Sequence, residues 1–400
     1  MRGFFSLVIA SLLLVIPPVS AAPKKIEVKA LKLVATISSK DDVAGFVVSA
    51  RTIVLFGTAM NKSFARAVDS KAQELWSISL DPNSSSIATA GAVDSDGNIW
   101  IAGSTSLLRS TSTPTPTPTP INPDSVENIP NSFNPALDAV ALWKIPAGTT
   151  SAILYSAQQS APVLITGIAL DKNGISLVGL TQSAKGSSGF LINSNTSGEF
   201  SKPLLIGTRS TTLDAVVRHD DATLTVVGAS GESLGGKKTI GTVDGVIIKI
   251  SKTNTIQSVV RSSAPQAQRN WSSASSKLLL GGDIITRAKI ESAVTKFSSS
   301  YTPLWTYRFS STGPLYTLGS TYAFFLSTSV ITQLSMKAPQ KPQPILLAFD
   351  SKGLITKAFS SSVEVREIIG LSSSKELGII CLTFTSDSLS IFSLGESRFE

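Results

Sequence analysis

The chain is short of the residues that most often carry chemistry. It has 400 residues, with one cysteine, Cys381, and one histidine, His219. A single thiol cannot close an internal disulfide, and Cys381 lies in the apolar run Leu377 to Phe384, where a small buried hydrophobe fits. A single imidazole rules out a His-based metal cluster, and no GxSxG-type elbow accompanies it for a Ser-His-Asp site. Charged residues make up 16% of the chain and the formal net charge is +8. No dense basic helix or basic–aromatic cluster appears, so a nucleic-acid partner is not expected. The pairs Gly235-Gly236 and Gly281-Gly282 precede no helical pattern and give no phosphate cradle. No cofactor and no metal are expected. Amphipathic helical periodicity is also missing throughout.

The N-terminus is the one long apolar stretch. Arg2 supplies a positive start, Gly3 to Ile16 is apolar, Pro17-Pro18 breaks the run, and Val19-Ser20-Ala21 fits a small-residue cleavage site. Residues 1–22 therefore read as a signal peptide, too short to span a bilayer, where about 20 apolar residues are needed. No later run reaches that length. Residues 23–400 are expected to form one secreted or envelope-associated domain, extracellular or periplasmic and monomeric. Without disulfides it must rest on a large core.

What the chain does have is a recurring β unit. Ala92 to Thr105, AVDSDGNIWIAGST, reads as strand, tight turn, strand and glycine exit. Imperfect copies of its second strand are TIVLFGTA, NIWIAGST, ISLVGLTQ, LTVVGASG, KLLLGGDI, AFFLSTSV and GIICLTFT. Taking Gly57, Gly103, Gly179, Gly228, Gly281, Thr328 and Thr383 as equivalent, the steps are 46, 76, 49, 53, 47 and 55 residues. Each copy holds four strand-like runs, lettered A to D, with the quoted runs as strand B. The expected fold is all-β, a seven-bladed β-propeller of four-stranded blades. The last copy stops after its C strand, SLSIFSL, whereas Val28 to Ile37 precedes the first A strand and matches the D pattern. That N-terminal strand is therefore expected to complete the last blade and close the ring. The long 76-residue step holds a Pro/Thr-rich insertion at about 106–136, including TPTPTPTP. APQKPQP, Ala338 to Pro344, fills the same B–C slot in the sixth copy.

The motif resembles that of secreted bacterial seven-bladed propeller-repeat proteins, which pair an A-x-D-x-x-G-N-φ-φ-φ-x-G-x-T hairpin with a D-A-φ-φ-x-K-φ strand. Ala92 to Thr105 with Asp138 to Ile145, Ala169 to Thr181, and Asp244 to Ile250 carry it. The resemblance implies a propeller and export, and brings no catalytic residues with it.

Function is sought on the loops. In a propeller the B–C and D–A loops share one face, the usual place for variable segments. The B–C loops carry Arg109, Lys185, Lys237, Lys238, Arg287, Lys289, Lys337 and Lys341, against Asp124, Glu127, Glu232 and Asp283. This composition points to a non-catalytic binding scaffold for an anionic envelope polymer, a glycan or another surface protein. The alternative is a propeller enzyme (hydrolase, lyase or quinone-dependent dehydrogenase) with a site at the central channel mouth. His219, in RHDD, is expected in a solvated A–B turn. Asp94 to Asn98 looks like a calcium loop but lacks its later ligands, so a turn braced by its own Asp side chains is expected. Trp76, Trp100, Trp143, Trp271 and Trp305 all fall on strands and are assigned to packing between blades.

Overall fold

The computed structural model describes residues 25–38, 41–107 and 137–395. The signal-like segment 1–22 and most of the Pro/Thr insertion lie outside the described residues. All regular structure described is β. There are five four-stranded sheets and one nine-stranded sheet, with antiparallel neighbours apart from two parallel N-terminal pairings.

Four sheets follow the chain in order. The first runs Asp42–Ser49, Thr52–Ala59, Lys62–Val68 and Glu74–Ser79 as strands A to D. The second spans Ser86–Val93 to Ile153–Gln158, the third Val163–Asp171 to Leu204–Ile206, and the fourth Thr211–Arg218 to Ile256–Ser262. The nine-stranded sheet contains two such units, fused because the 16-residue strand Pro303–Leu318 serves as D of the fifth unit and A of the sixth. The last sheet holds Glu367–Ser374, Gly378–Phe384 and Ser388–Ser393 with Lys32–Ser38 from the N-terminus.

The N-terminal run is two strands rather than one. Ile26–Ala30 lies parallel to Ile355–Ser360, with Val28 opposite Ala358, and it also pairs with Leu334–Ser335. Leu31 is buried, and its N–H donates to the Ser360 carbonyl at 2.6 Å. Lys32–Ser38 then pairs antiparallel with Ser388–Ser393. The apolar-and-lysine pattern of Val28 to Ile37 cannot reveal this division, because both halves are outer strands with similar half-exposed faces.

Burial explains why the B strands stand out in the sequence. Ile99–Thr105 is buried at every position, because its sheet is covered on both faces by neighbouring units. Successive side chains point to opposite faces. Trp100 therefore packs with Leu177 and Phe190 of the third unit, while Ile101 packs with Phe56 of the first. In the same way Val226 meets the third unit and Val227 the fifth, and Leu279 meets the sixth unit while Leu280 meets the fourth. Trp143 and Trp271 are likewise sealed between units, and Cys381 lies between Phe324 and Phe392, where burial pushes its thiol up. The core is thus a series of inter-sheet layers. Outer strands such as Glu74–Ser79 alternate exposed and half-buried.

The A strands carry a shared irregularity. A β-bulge falls between Val43 and Gly45, Ala88 and Ala90, Ile165 and Gly167, Leu213 and Ala215, Trp271 and Ser273, and Ile368 and Gly370. Opposite it stands the recurrent strand-B glycine. A Cβ on Gly103 would lie 1.8 Å from the Ile87 carbonyl oxygen, and one on Gly57, Gly179, Gly228 or Gly282 would meet a carbonyl at 1.9 to 2.1 Å. This contact is the reason for the glycine, and it corrects two assignments. Gly282, opposite Trp271, is the fifth-unit equivalent rather than Gly281, and Ser327, opposite Ser311, is the sixth-unit equivalent rather than Thr328. The bulges push one residue of each A strand towards a common axis. Consecutive A strands touch one another, and Glu367–Ser374 touches Asp42–Ser49.

Candidate functional site

The B–C turns and D–A connections lie together on one side of the molecule, as hydrogen bonds between them show. Lys62 Nζ donates to the Pro82 carbonyl at 2.6 Å, and Ser183 Oγ to the Thr208 carbonyl at 2.6 Å. Lys341 Nζ pairs with Glu364 at 2.7 Å. Glu232 is the strongest of these links. Its Oε1 accepts from the backbone N–H of Thr208 at 2.8 Å, Arg209 at 2.9 Å and Ser210 at 3.2 Å, and from the Thr211 hydroxyl at 2.8 Å. Partial burial works to raise its carboxyl, but these donors outweigh it and hold the group at about 2.

The sequence-predicted cations occupy this side, except Arg109, which lies outside the described residues. Lys185, Lys237, Lys238, Arg287, Lys289, Lys337 and Lys341 are all exposed. Lys289 pairs with Glu291 at 2.8 Å, and Glu291 also holds Arg308. The other five, Lys185, Lys237, Lys238, Arg287 and Lys337, belong to no ion pair among the described residues. They sit on four successive units, the third to the sixth. Of the acids set against them, Asp124 and Glu127 lie outside the described residues, Glu232 caps backbone, and burial raises the Asp283 carboxyl.

Lys337 and Lys341 share a depression. The 328–342 loop is anchored by buried Ile331 and Leu334 and by the pairing of Leu334–Ser335 with Ile26–Glu27. Between it and the next D–A connection lies a groove of about 540 Å³, with Val28, Met336, Pro339 and Val363 as its apolar wall and Lys337, Lys341 and Glu364 on its polar side.

The A strands surround a central cavity of about 340 Å³. Among its lining residues are the bulged ones: Ala44, Thr89, Thr166, Asp214, Ser272 and Ile369. Two of these stitch neighbouring units together: Thr89 Oγ1 donates to the Ile165 carbonyl, and Thr166 Oγ1 to the Leu213 carbonyl, each at 2.6 Å. In the fourth unit a carboxylate occupies that position. Burial raises Asp214 to about 6, with Asp283 adding to the rise and bonds from Asn270 and Thr212 opposing it. This residue went unnoticed in the sequence. The signal was there, since LDAVV aligns with ATAGA and ITGIA and puts an acid at a small or hydroxyl-bearing position.

The opposite side, formed by A–B and C–D turns, holds a groove of about 490 Å³ between the fourth and fifth units. His219 lies in it, half-buried rather than solvated as expected. Its Nε2 bonds Thr225 Oγ1 at 2.7 Å, and that hydroxyl bonds the Tyr301 OH at 2.7 Å. The turn comes from the fourth unit and Tyr301 from the fifth, so local sequence could not show the link. Burial lowers the imidazole's pKa, with the nearby Asp221 opposing it. In the Asp94 turn, Oδ1 accepts from the N–H groups of Asp96 and Asn98, and Oδ2 from Asn98 Nδ2 and Trp100 Nε1. Both oxygens brace the hairpin, as the turn reading requires.

No family model matches the sequence, and no curated protein matches it. Solved structures do. The WD40 domain of coronin from Toxoplasma gondii aligns over 94% of this chain and 90% of its own, at 9% identity and a TM-score of 0.50. The Dos1 propeller aligns over 93% and 84%, at 9% identity and 0.45. Sqt1 from Chaetomium thermophilum aligns over 92% and 100%, at 11% identity and 0.47. The likeness to the coronin domain shows the fold alone: the chain is a β-propeller.

Proposed function

We propose that this protein is a seven-bladed propeller, closed by Lys32–Ser38 in the last blade, that serves as an exported, non-catalytic binding scaffold of the cell envelope or extracellular space. The closure reading is supported by the antiparallel pairing of Lys32–Ser38 with Ser388–Ser393 and by the unbroken succession of A-strand contacts. Export is supported by the basic, apolar, small-residue pattern of residues 1–22. The partner is an anionic polymer or an acidic surface of a glycan or protein, bound on the B–C/D–A face.

One observation carries this reading. Among the described residues, five exposed cations without ion pairs, Lys185, Lys237, Lys238, Arg287 and Lys337, are spread over four successive units of that face, while Glu232 is tied to backbone N–H groups. Such a field attracts polyanions through many weak, salt-sensitive contacts. Catalysis has less to stand on, because Asp214 and Tyr316 are the only ionisable residues among those lining the central cavity. The test is co-sedimentation of the mature protein with a teichoic acid and with a polyuronate at two salt concentrations. Changing Lys185, Lys237, Lys238 and Arg287 together to Gln should weaken binding at least tenfold and flatten its salt dependence. Changing the ion-paired Lys289 and Lys341 should do much less. Equal binding by both variants and the parent would remove the proposal.

A further inference from the structure

The N-terminal strand Ile26–Ala30 leaves one of its edges partly open. In a parallel pair the N–H and C=O of alternate residues address the same neighbour. Ile26 N–H donates to the Gln333 carbonyl at 2.9 Å, and Leu31 N–H to the Ser360 carbonyl. Lys29 and Leu31 therefore turn their peptide groups towards Ile355–Ser360, while Ile26, Val28 and Ala30 turn theirs towards Leu334–Ser335. That second partner is two residues long and stops at Ser335, opposite Glu27. The Val28 carbonyl and the Ala30 N–H thus face a strand that has ended. Neither has a hydrogen-bond partner among the described residues.

This edge runs into the groove between the 328–342 loop and residues 361–364. Val28 lines the groove, and Ala30 lies two residues further on, opposite Ser360. Val28 and Met336 rest on the core of the sixth unit, so that wall is fixed. Pro339 and Pro342 on the facing loop carry no N–H and cannot donate to the Val28 carbonyl. Lys341 is held by Glu364 at 2.7 Å, which leaves exposed Lys337 as the uncompensated charge of this lining among the described residues. Unused backbone groups, an apolar wall and a free cation therefore meet in one place.

We propose that this groove docks an extended acidic peptide segment of a partner protein, which adds to the Val28–Ala30 edge as a short further strand. The Ala30 N–H donates to a peptide carbonyl, and the Val28 carbonyl accepts from a peptide N–H, as open sheet edges take up strands. An apolar side chain of the peptide packs on Met336, Pro339 and Val363, and a carboxylate meets Lys337. The site goes beyond the polyanion reading. It is built from backbone and apolar surface of the sixth unit, and it uses none of Lys185, Lys237, Lys238 or Arg287, which stand on the third to fifth units. A teichoic acid or polyuronate lacks the regular N–H and C=O pairs that such an edge reads.

The test screens the full mature chain against an array of acetylated hexapeptides that sample Asp, Glu, Val, Leu, Ser and Lys at each position. Bound sequences should combine acids with Val or Leu, and the best of them is then titrated by fluorescence anisotropy. N-methylation of its backbone amides one at a time should weaken binding roughly tenfold at alternate positions and hardly at those between, the signature of strand addition. Ala30→Pro removes the unused N–H, leaves the bonds to Ile355–Ser360 in place, and should weaken binding roughly tenfold at an unchanged melting temperature. Lys337→Glu should weaken acidic peptides by roughly tenfold and favour Lys-containing ones. The combined Gln variant of Lys185, Lys237, Lys238 and Arg287 should bind the peptide as the parent does, so loss of polyanion binding and loss of peptide binding are told apart. No acidic–apolar enrichment, a uniform response to N-methylation, or binding indifferent to Lys337→Glu would overturn the assignment. Concentration-dependent dimerisation of the free chain that Ala30→Pro abolishes would overturn it too, by giving the edge to a second copy.

Discussion

Replacing Gly103 by alanine tests the packing argument at its narrowest point. The new Cβ would lie 1.8 Å from the Ile87 carbonyl oxygen, 2.9 Å from its carbon and 3.0 Å from the Ala88 Cα. Every one of these is backbone, so no rotamer change relieves the contact. Even a tight separation of about 3 Å requires the bulged strand to retreat by more than about 1 Å. The retreat also pulls on Thr89, whose hydroxyl holds the Ile165 carbonyl of the next unit at 2.6 Å. Overpacking costs about 2 to 3 kcal/mol and the lost hydrogen bond about 1, together roughly 3 to 4 kcal/mol. A domain of this size unfolds with an entropy of roughly 0.8 kcal/mol per degree, so the melting temperature should fall by about 4 to 5 °C. Gly370→Ala is the comparison. Its Cβ would meet only the edge of the Phe46 ring, at 3.1 and 3.4 Å, and should cost less than about 1 °C. Differential scanning calorimetry of the two variants decides the matter. If Gly103→Ala melts within a degree of the parent, or no lower than Gly370→Ala, the bulge is not what demands the glycine.

Two further outcomes are expected. Glu232 is held at about 2 in the fold against an ordinary value of 4.5, so its stabilisation is fully present above about 4.5 and is lost as pH falls towards 2. Glu232→Gln should cost about 1 to 2 kcal/mol at pH 7, after allowance for solvent screening, and the gap to the parent in a urea-denaturation series should close by pH 2. Deleting residues 23–38 removes the strand paired with Ser388–Ser393 and exposes that edge, so the unfolding midpoint should drop sharply; an unchanged midpoint would sink the closure reading.

Legibility of the fold followed the reach of each interaction. The B strands could be read because both their faces are buried, so Ile99–Thr105 and Gly378–Phe384 appear as near-continuous apolar or small runs. The turn at Asp94 could be read because donors and acceptor lie within six residues. The glycine one position too early in KLLLGGDI, and the undivided N-terminal strand, were misplaced because register depends on which carbonyl or strand stands opposite.

Sequence alone therefore determined the β class, the repeat of four strands, the loops that carry the exposed cations and the apolar identity of the inter-sheet layers. All of these rest on local propensity and period-two alternation, which neighbours in the chain can express. Only the tertiary structure decided which charges are free, pairing Lys341 with Glu364 across 23 positions and turning Glu232 onto the backbone of residues 208–210. It also put Asp214 on the wall of the central cavity, and His219 into a hydrogen-bond chain with Tyr301. Those contacts join separate units, and their energies depend on burial and on partners far away in the chain, which no local pattern records.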